Sequence, residues 1–191
     1  MVGRTHDLAA FTTIGYIVVT QPNLHISLAT GLVALGANLV GGLAPDLDQP
    51  TGNLWQKLPA GTIFGRLFHP FFGSHRHISH SILGAVLFGT LVHFLLGLAS
   101  SVVLVDMNIV WWAFMIGYIS HLVMDTFTKE GVPWFFPIPW KIGFPPIKLF
   151  RITTGKLVET GVVFPGLLLI NAYLYWANYH ELILFFKHML H

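Results

Sequence analysis

Gly117-Tyr118-Ile119-Ser120-His121-Leu122-Val123-Met124-Asp125 closes an apolar run that extends from Met107 to Thr128. A run of about 20 apolar residues has the length of a helix that crosses a bilayer. Inside it, His121 and Asp125 stand at positions i and i+4. On a helix they share one face, one turn apart. A neutral imidazole and a carboxylate stacked in this way form a common half-site for zinc or a similar metal. Ionisable groups inside a membrane-length segment are costly, which marks them as functional by default. The plainer alternative is a buried His–Asp hydrogen bond that only staples helices.

Composition supports the membrane reading. The chain has 191 residues, 54% of them hydrophobic and only 9% charged, and a mean hydropathy of +0.68. Soluble domains carry roughly a quarter charged residues, so these charges are too few to cover a water-facing surface. The length suits a single integral-membrane domain, 1–191. Cysteine is absent, which excludes disulfides and thiolate sites and leaves His and carboxylate as the strong ligands. No signal peptide is expected: Leu8–Val19 has the length of a short h-region, but Thr20-Gln21-Pro22 is no small-residue cleavage site. No basic stripe or motif suggests nucleic acid.

Five apolar segments lie along the chain: Leu8–Thr20, Leu24–Leu43, Ile78–Val105, Met107–Thr128 and Gly161–Tyr179. The third has a break near Ala99-Ser100-Ser101, and the fifth contains Pro165, a potential kink. The first is short for a span. A polar stretch, Ala44–Gly73, holds an interfacial piece, Ile63–Phe68, and a last apolar piece covers Glu181–His191. The expected fold is an all-α polytopic membrane helix bundle of about five transmembrane helices with an interfacial loop region. Threaded as alternating spans, one side receives Arg4, Lys57, Arg66, Arg76, Lys129, Lys141, Lys148, Arg151 and Lys156, and the other only Lys187. By the positive-inside rule, the first side is cytoplasmic.

The same threading gathers the polar chemistry on that side: His6, Asp46 and Asp48, then His75, His77 and His80, then His121 and Asp125, and Glu159. His25, His69, His93, His180, His188 and His191 lie outside comparable motifs and are read as interfacial or packing residues. Three of the candidate ligands follow a hydroxyl: Thr5-His6, Ser79-His80 and Ser120-His121. Such a hydroxyl caps a helix, which suits Thr5 and Ser79, or orients a ligand. An extended Asp-x-Asp points both carboxylates the same way. One can then bind a metal while the other bridges a second metal or takes a proton from water; a turn with a helix cap is the plainer alternative. Metals held by His and carboxylate at open positions suit hydrolysis. No G-x-S-x-G motif or glycine-rich phosphate loop is present.

With these pieces in order, the chain resembles the YdjM-like membrane-bound metal-dependent hydrolases of bacteria. The matching pieces are Thr5-His6, Pro45-Asp46-Leu47-Asp48, His75-Arg76 with Ser79-His80-Ser81, Gly117-Tyr118-Ile119-Ser120-His121 with Asp125 and Thr126, and Gly131-Val132-Pro133. The family usually has Thr where this chain has Ser79, which keeps the hydroxyl. That family is in turn similar to the zinc-dependent phospholipase C and P1-type nuclease group. The resemblance implies metal ligands among His6, one of Asp46 or Asp48, one or both of His75 and His80, His121 and Asp125. It implies two zinc ions, or three, with manganese or iron as alternatives. Those soluble enzymes supply further His ligands after the His-x-x-x-Asp helix. Here no His lies between positions 122 and 179, and Glu159 is the only acid between Glu130 and Glu181. Glu159 is therefore a candidate remaining ligand or base, and Asp46 and Asp48 are candidate catalytic groups.

The 132–151 loop carries five prolines, two tryptophans and several phenylalanines. Prolines at that density forbid a long helix, and the aromatics suit the headgroup boundary. It reads either as an interfacial anchor or as a lid that admits a lipid, with Arg76, Lys148 or Arg151 meeting a phosphate. The expected partners are membrane lipids and an amphiphilic phosphoester. The expected location is the bacterial inner membrane, with the metal site facing the cytoplasm. Two other classes compete with a hydrolase: a metal transporter or sensor, and a lipid-binding protein whose polar cluster is only a hydrogen-bond network. A transporter should carry ligands near the bilayer midplane, where these spans hold almost no ionisable group except His93.

Overall fold

In the computed structural model, residues 1–21, 25–49 and 78–190 are described. They form an all-helical bundle. Its elements are α1 (Gly3–Thr20), α2 (Leu28–Leu43) running into a 3-10 helix (Ala44–Asp48), α3 (Ile82–Ala99), α4 (Met107–Thr126), a π-helical turn (Glu159–Val163) leading into α5 (Phe164–Ala177), and α6 (Tyr179–Leu190). Among the described residues, four helices are long and apolar enough to cross a membrane: Leu28–Asp48, Ile82–Ala99, Met107–Thr126 and Glu159–Ala177. α1 has 18 residues, but its first turns carry Arg4, Thr5, His6 and Asp7. It completes the bundle as a fifth, more polar helix.

α2 and α4 form the centre, and small residues set their distance. A Cβ on Gly41 would stand 2.0 Å from the backbone oxygen of Phe114, and one on Gly117 would stand 2.0 Å from that of Asn38. Glycine at both positions lets the two backbones touch, the usual device where lipid removes the hydrophobic drive for helix association. Asn38, fully buried, donates from Nδ2 to the Ala113 carbonyl at 3.0 Å. Tyr118 and Leu122 of α4 pack with Phe114, Ala44, Ala85 and Val132. α3 joins through the Trp111 indole N–H, which donates to the Gly89 carbonyl at 2.7 Å. α5 is tied to α1 by Asn171 Nδ2, which donates to the Thr12 hydroxyl at 2.6 Å. Outward side chains such as Val86, Phe94 and Leu98 of α3 are more than half exposed, as a lipid-facing surface requires.

Several local expectations change. α1 begins at Gly3, capped by Val2 without a side-chain bond, so Thr5 lies inside the helix and does not cap it. The α3 cap is Ser81, whose hydroxyl accepts from the Gly84 N–H at 3.0 Å; Ser79 does not cap it. Pro45-Asp46-Leu47-Asp48 is a 3-10 turn rather than an extended piece, because Pro45 suits the first helical turn and the chain continues directly from α2. Pro165 sits in the first turn of α5. The Phe164 N–H reaches back to Glu159 O, the wide π turn that places the ring. The helical end at Ala99, with Ser100 as the cap, agrees with the sequence reading; the last apolar piece forms its own helix, α6, after Asn178. Ile63–Phe68 lies outside the described residues.

The 127–158 segment folds against the end of α4 through backbone bonds. Val132 and Ile142 exchange bonds at 2.8 and 2.9 Å, and the Ile152 N–H donates to Phe127 O at 3.0 Å. Before the helical turn that leads into α5, its helical piece is the three-residue Lys148–Phe150 turn. Trp140, Leu149 and Phe150 stand outward, each more than two-thirds exposed.

Candidate metal centre

Four helix ends converge at one end of the bundle. α1 supplies His6 from its first turn. The 3-10 turn after α2 supplies Asp46 and Asp48. The turn before α3 supplies His80, and it is held to α4 by the Tyr118 hydroxyl, which donates to Ser79 O. α4 supplies His121 and Asp125 from its last turns, on one face as their spacing requires. His6, Asp48, His80, His121 and Asp125 are all buried, and Asp46 is nearly so.

The orientation of His121 is set by backbone. Its Nδ1 lies 2.7 Å from Gly42 O. A carbonyl only accepts, so Nδ1 carries the proton and Nε2 of the neutral ring carries a lone pair. That Nε2 stands 3.6 Å from Asp46 Oδ1 and 3.7 Å from Asp125 Oδ2. It has no hydrogen-bond partner among the described residues. His6 stacks on His121 with ring centroids 3.6 Å apart and planes within 9°. His6 Nε2 lies 3.3 Å from Asp125 Oδ1, and neither His6 ring nitrogen has a hydrogen-bond partner among the described residues.

His80 is oriented by acids. Its Nδ1 lies 3.4 Å from Asp48 Oδ2, and the Ser79 hydroxyl donates to the same oxygen at 2.7 Å. Its Nε2 faces Asp46 Oδ1 at 3.6 Å and Asp125 Oδ2 at 3.7 Å. Burial pushes the His80 pKa down, but the Asp46 and Asp48 carboxylates beside the ring together outweigh burial and hold it above the ordinary imidazole value. A cation bound there displaces a proton.

The residues fit a metal. His6, His121 and Asp125 form one candidate set, and Asp46, His80 and His121 form another; within each, the ligand atoms lie within 4.8 Å of one another. Two ligands on one ion at about 2.1 Å in a tetrahedron stand about 3.4 Å apart, close to the distances observed here. The orphaned nitrogens of His6 and His121 are what a cation would satisfy, because a buried polar atom without a partner is otherwise costly. Asp125 presents Oδ1 to His6 and Oδ2 to His80 and His121, so one carboxylate faces both sets.

The sequence-derived candidates divide. His6, Asp46, His80, His121 and Asp125 come together. Asp48 stands behind His80. Glu159 stands beside the cluster without entering it: buried, it accepts from the Val2 N–H at 2.7 Å and from the Gly155 N–H at 2.7 Å, while the neighbouring Met1 amino group meets Asp125. It joins neither metal set among the described residues. Arg151 donates to the Pro145 and Pro146 carbonyls at 2.7 and 3.0 Å, closing the loop. Lys148 is exposed on the short turn. His75, Arg76 and His77 lie outside the described residues. Sequence reasoning missed three contributors: the Gly42 carbonyl, the Tyr118 hydroxyl, and the Met1 amino group, which donates to Asp125. Tyr118 was visible one turn before His121; a backbone carbonyl leaves no mark in a sequence.

Residues 1–184 match the YdjM inner membrane protein family. The chain is similar to the YvsG protein of Bacillus subtilis, with 30% identity over 183 residues that cover 94% of this chain and 98% of the relative. It is also similar to the inner membrane protein YdjM of Escherichia coli, with 27% identity over 154 residues that cover 71% and 68%. The YdjM protein of Shigella flexneri matches to the same extent. No solved structure matches the chain. A match over nearly the whole chain, with a membrane-spanning bundle and a buried His/Asp cluster, places this protein in the YdjM inner membrane protein family.

Proposed function

We propose that this protein is a membrane-bound metal-dependent hydrolase that cleaves a phosphoester of a lipid or other amphiphilic substrate. The observation that carries the reading is the convergence of His6, Asp46, His80, His121 and Asp125 from four helix ends, with the His121 lone pair fixed toward the carboxylates by the Gly42 carbonyl. Two ions would suit the arrangement, one held among His6, His121 and Asp125 and the other among Asp46, His80 and His121; zinc is the first candidate, with manganese and iron as alternatives. Metal ions in such a site lower the pKa of water and neutralise charge on a phosphoryl group. In the hydrolysis, a water oxygen bonds to phosphorus, the ester P–O bond breaks, and the leaving alcohol oxygen gains a proton. Asp46 is the least buried of the cluster's carboxylates, and its Oδ1 faces both the His80 and the His121 imidazole, a place that suits a metal ligand. Asp48 orients His80, and the Ser79 hydroxyl orients Asp48.

The membrane is the bacterial inner membrane, as the names of the two YdjM relatives support. Lys129, Lys141, Lys148, Arg151 and Lys156 sit in the segment at the cluster's end of the bundle, and the positive-inside rule puts that end in the cytoplasm. A ligand cluster at one end, rather than midway along the helices, favours a hydrolase over a transporter. The first test is elemental analysis of detergent-purified protein beside His121→Ala, followed by hydrolysis assays on phospholipids and soluble phosphoesters. About two metals per chain, fewer in the variant, with hydrolysis lost in Asp125→Asn, is the expected result. Absence of stoichiometric metal after metal is added back would overturn the reading.

A further inference from the structure

Beside the cluster, two cavities of about 460 and 300 Å³ lie between α4 and α5, and they share Met124 and Leu167. Together they make one groove, with Ala9, Thr12 and Thr13 of α1 along its floor. Thr12 and Thr13 turn their hydroxyls onto Leu8 O and Ala9 O at 2.7 and 2.8 Å, and the Thr12 hydroxyl also accepts from Asn171 of α5, so their polar atoms are satisfied. One end of the groove is at Met1, whose amino group meets the Asp125 carboxylate. At Trp112 and Ile116 the groove meets a third cavity of about 580 Å³ lined by α1, α2, α4 and α6. From Met124 to Trp112 the helix rises about 18 Å, a little more than half of a hydrocarbon core of about 30 Å. This stretch has the length of one lipid tail in one leaflet, and it begins at Met1, beside the Asp125 carboxylate.

We infer that this groove holds the hydrocarbon tail of the substrate, so that the substrate is a long-chain phosphoester whose phosphate reaches the cluster from within the membrane. The inference rests on the hydrolase reading for its phosphate end. The tail site rests on the groove itself. The π turn at Glu159–Val163 carries α5 past the groove, and beside Gly166 an added Cβ would meet nothing within 4 Å. The open space at Gly166 is room for a chain, and it makes the position suitable for a plug that does not disturb packing.

The test uses hexadecylphosphonate with a diazirine near the far end of its chain, a probe whose P–C bond is not hydrolysed. It is added to the full-length protein loaded with zinc in detergent. Photolabelling should fall on the Trp112 end of the groove and be competed by unlabelled hexadecylphosphonate. Gly166→Phe should reduce labelling about tenfold, the loss that accompanies removal of about two buried methylenes, while thermal unfolding and metal content show that it remains folded. Hydrolysis of long-chain relative to short-chain esters should fall with it. Labelling scattered over the outer face of α3 without competition, or equal labelling in Gly166→Phe, would overturn the tail site. Competed labelling in a protein that hydrolyses no phosphoester would instead overturn the hydrolase reading and leave the groove standing as a lipid site.

Discussion

His121 on α4 and Gly42 on α2 are joined by a 2.7 Å contact between the imidazole Nδ1 and the glycine carbonyl oxygen. Through it, the distance between two helix backbones decides which ring nitrogen can bind a cation. The contact depends on the glycines that allow the approach, so packing and metal affinity are coupled.

Gly41→Ala should therefore weaken both. Its new Cβ would stand 2.0 Å from the Phe114 oxygen, which forces α2 away from α4 and the Gly42 carbonyl away from His121. Overpacking of this kind costs about 1–3 kcal/mol. Thermal unfolding in detergent and metal content per chain should both drop, whereas Gly36→Ala, with nothing within 4 Å of the added atom, should change neither.

Asp48 and Asp46 should separate in a metal titration. Asp48→Asn keeps the shape behind His80 but loses the charge that orients it, and loss of such a supporting acid typically lowers metal affinity by about 10–100-fold. Asp46→Asn removes an oxygen that faces both His80 and His121, and it should lose metal outright or nearly so. Competition with a chelating dye measures both, and equal affinities in the two variants would contradict the assignment.

Glu159 should act on stability before chemistry. Its two oxygens each accept one backbone N–H, from Val2 and from Gly155. Glu159→Gln turns one acceptor into a donor facing a donor, a buried mismatch of about 1–3 kcal/mol. The expected result is a lower melting temperature with metal still bound at low temperature. A catalytic base would instead lose turnover at unchanged melting temperature.

Orientation can be read directly because the chain has no cysteine. A single Lys148→Cys, on the exposed short turn, should react with an impermeant maleimide in inverted inner-membrane vesicles and not in spheroplasts. The reverse pattern would place the cluster on the outer face.

Where sequence and structure part company, the cause is local geometry. An extended Asp-x-Asp would have aimed both carboxylates at one place. The 3-10 turn observed has three residues per turn, so positions 46 and 48 point in different directions, one into the cluster and one behind His80. Glu159 was conspicuous as an isolated acid near a helix start, but sequence spacing cannot tell a metal ligand from an acceptor of two backbone N–H groups. Arg151 likewise reads as a phosphate-binding group, and the fold turns its guanidinium to the Pro145 and Pro146 carbonyls.

The amino-acid sequence by itself determined the membrane class, the approximate helices and the gathering of His and Asp at one end. These follow from apolar run length and helical periodicity, which are local properties of the chain. The tertiary structure alone decided which carboxylate enters the cluster, which nitrogen of His121 is open, and where the groove between α4 and α5 runs. Those depend on how closely backbones pack and which way side chains turn, and neither is set until distant segments meet.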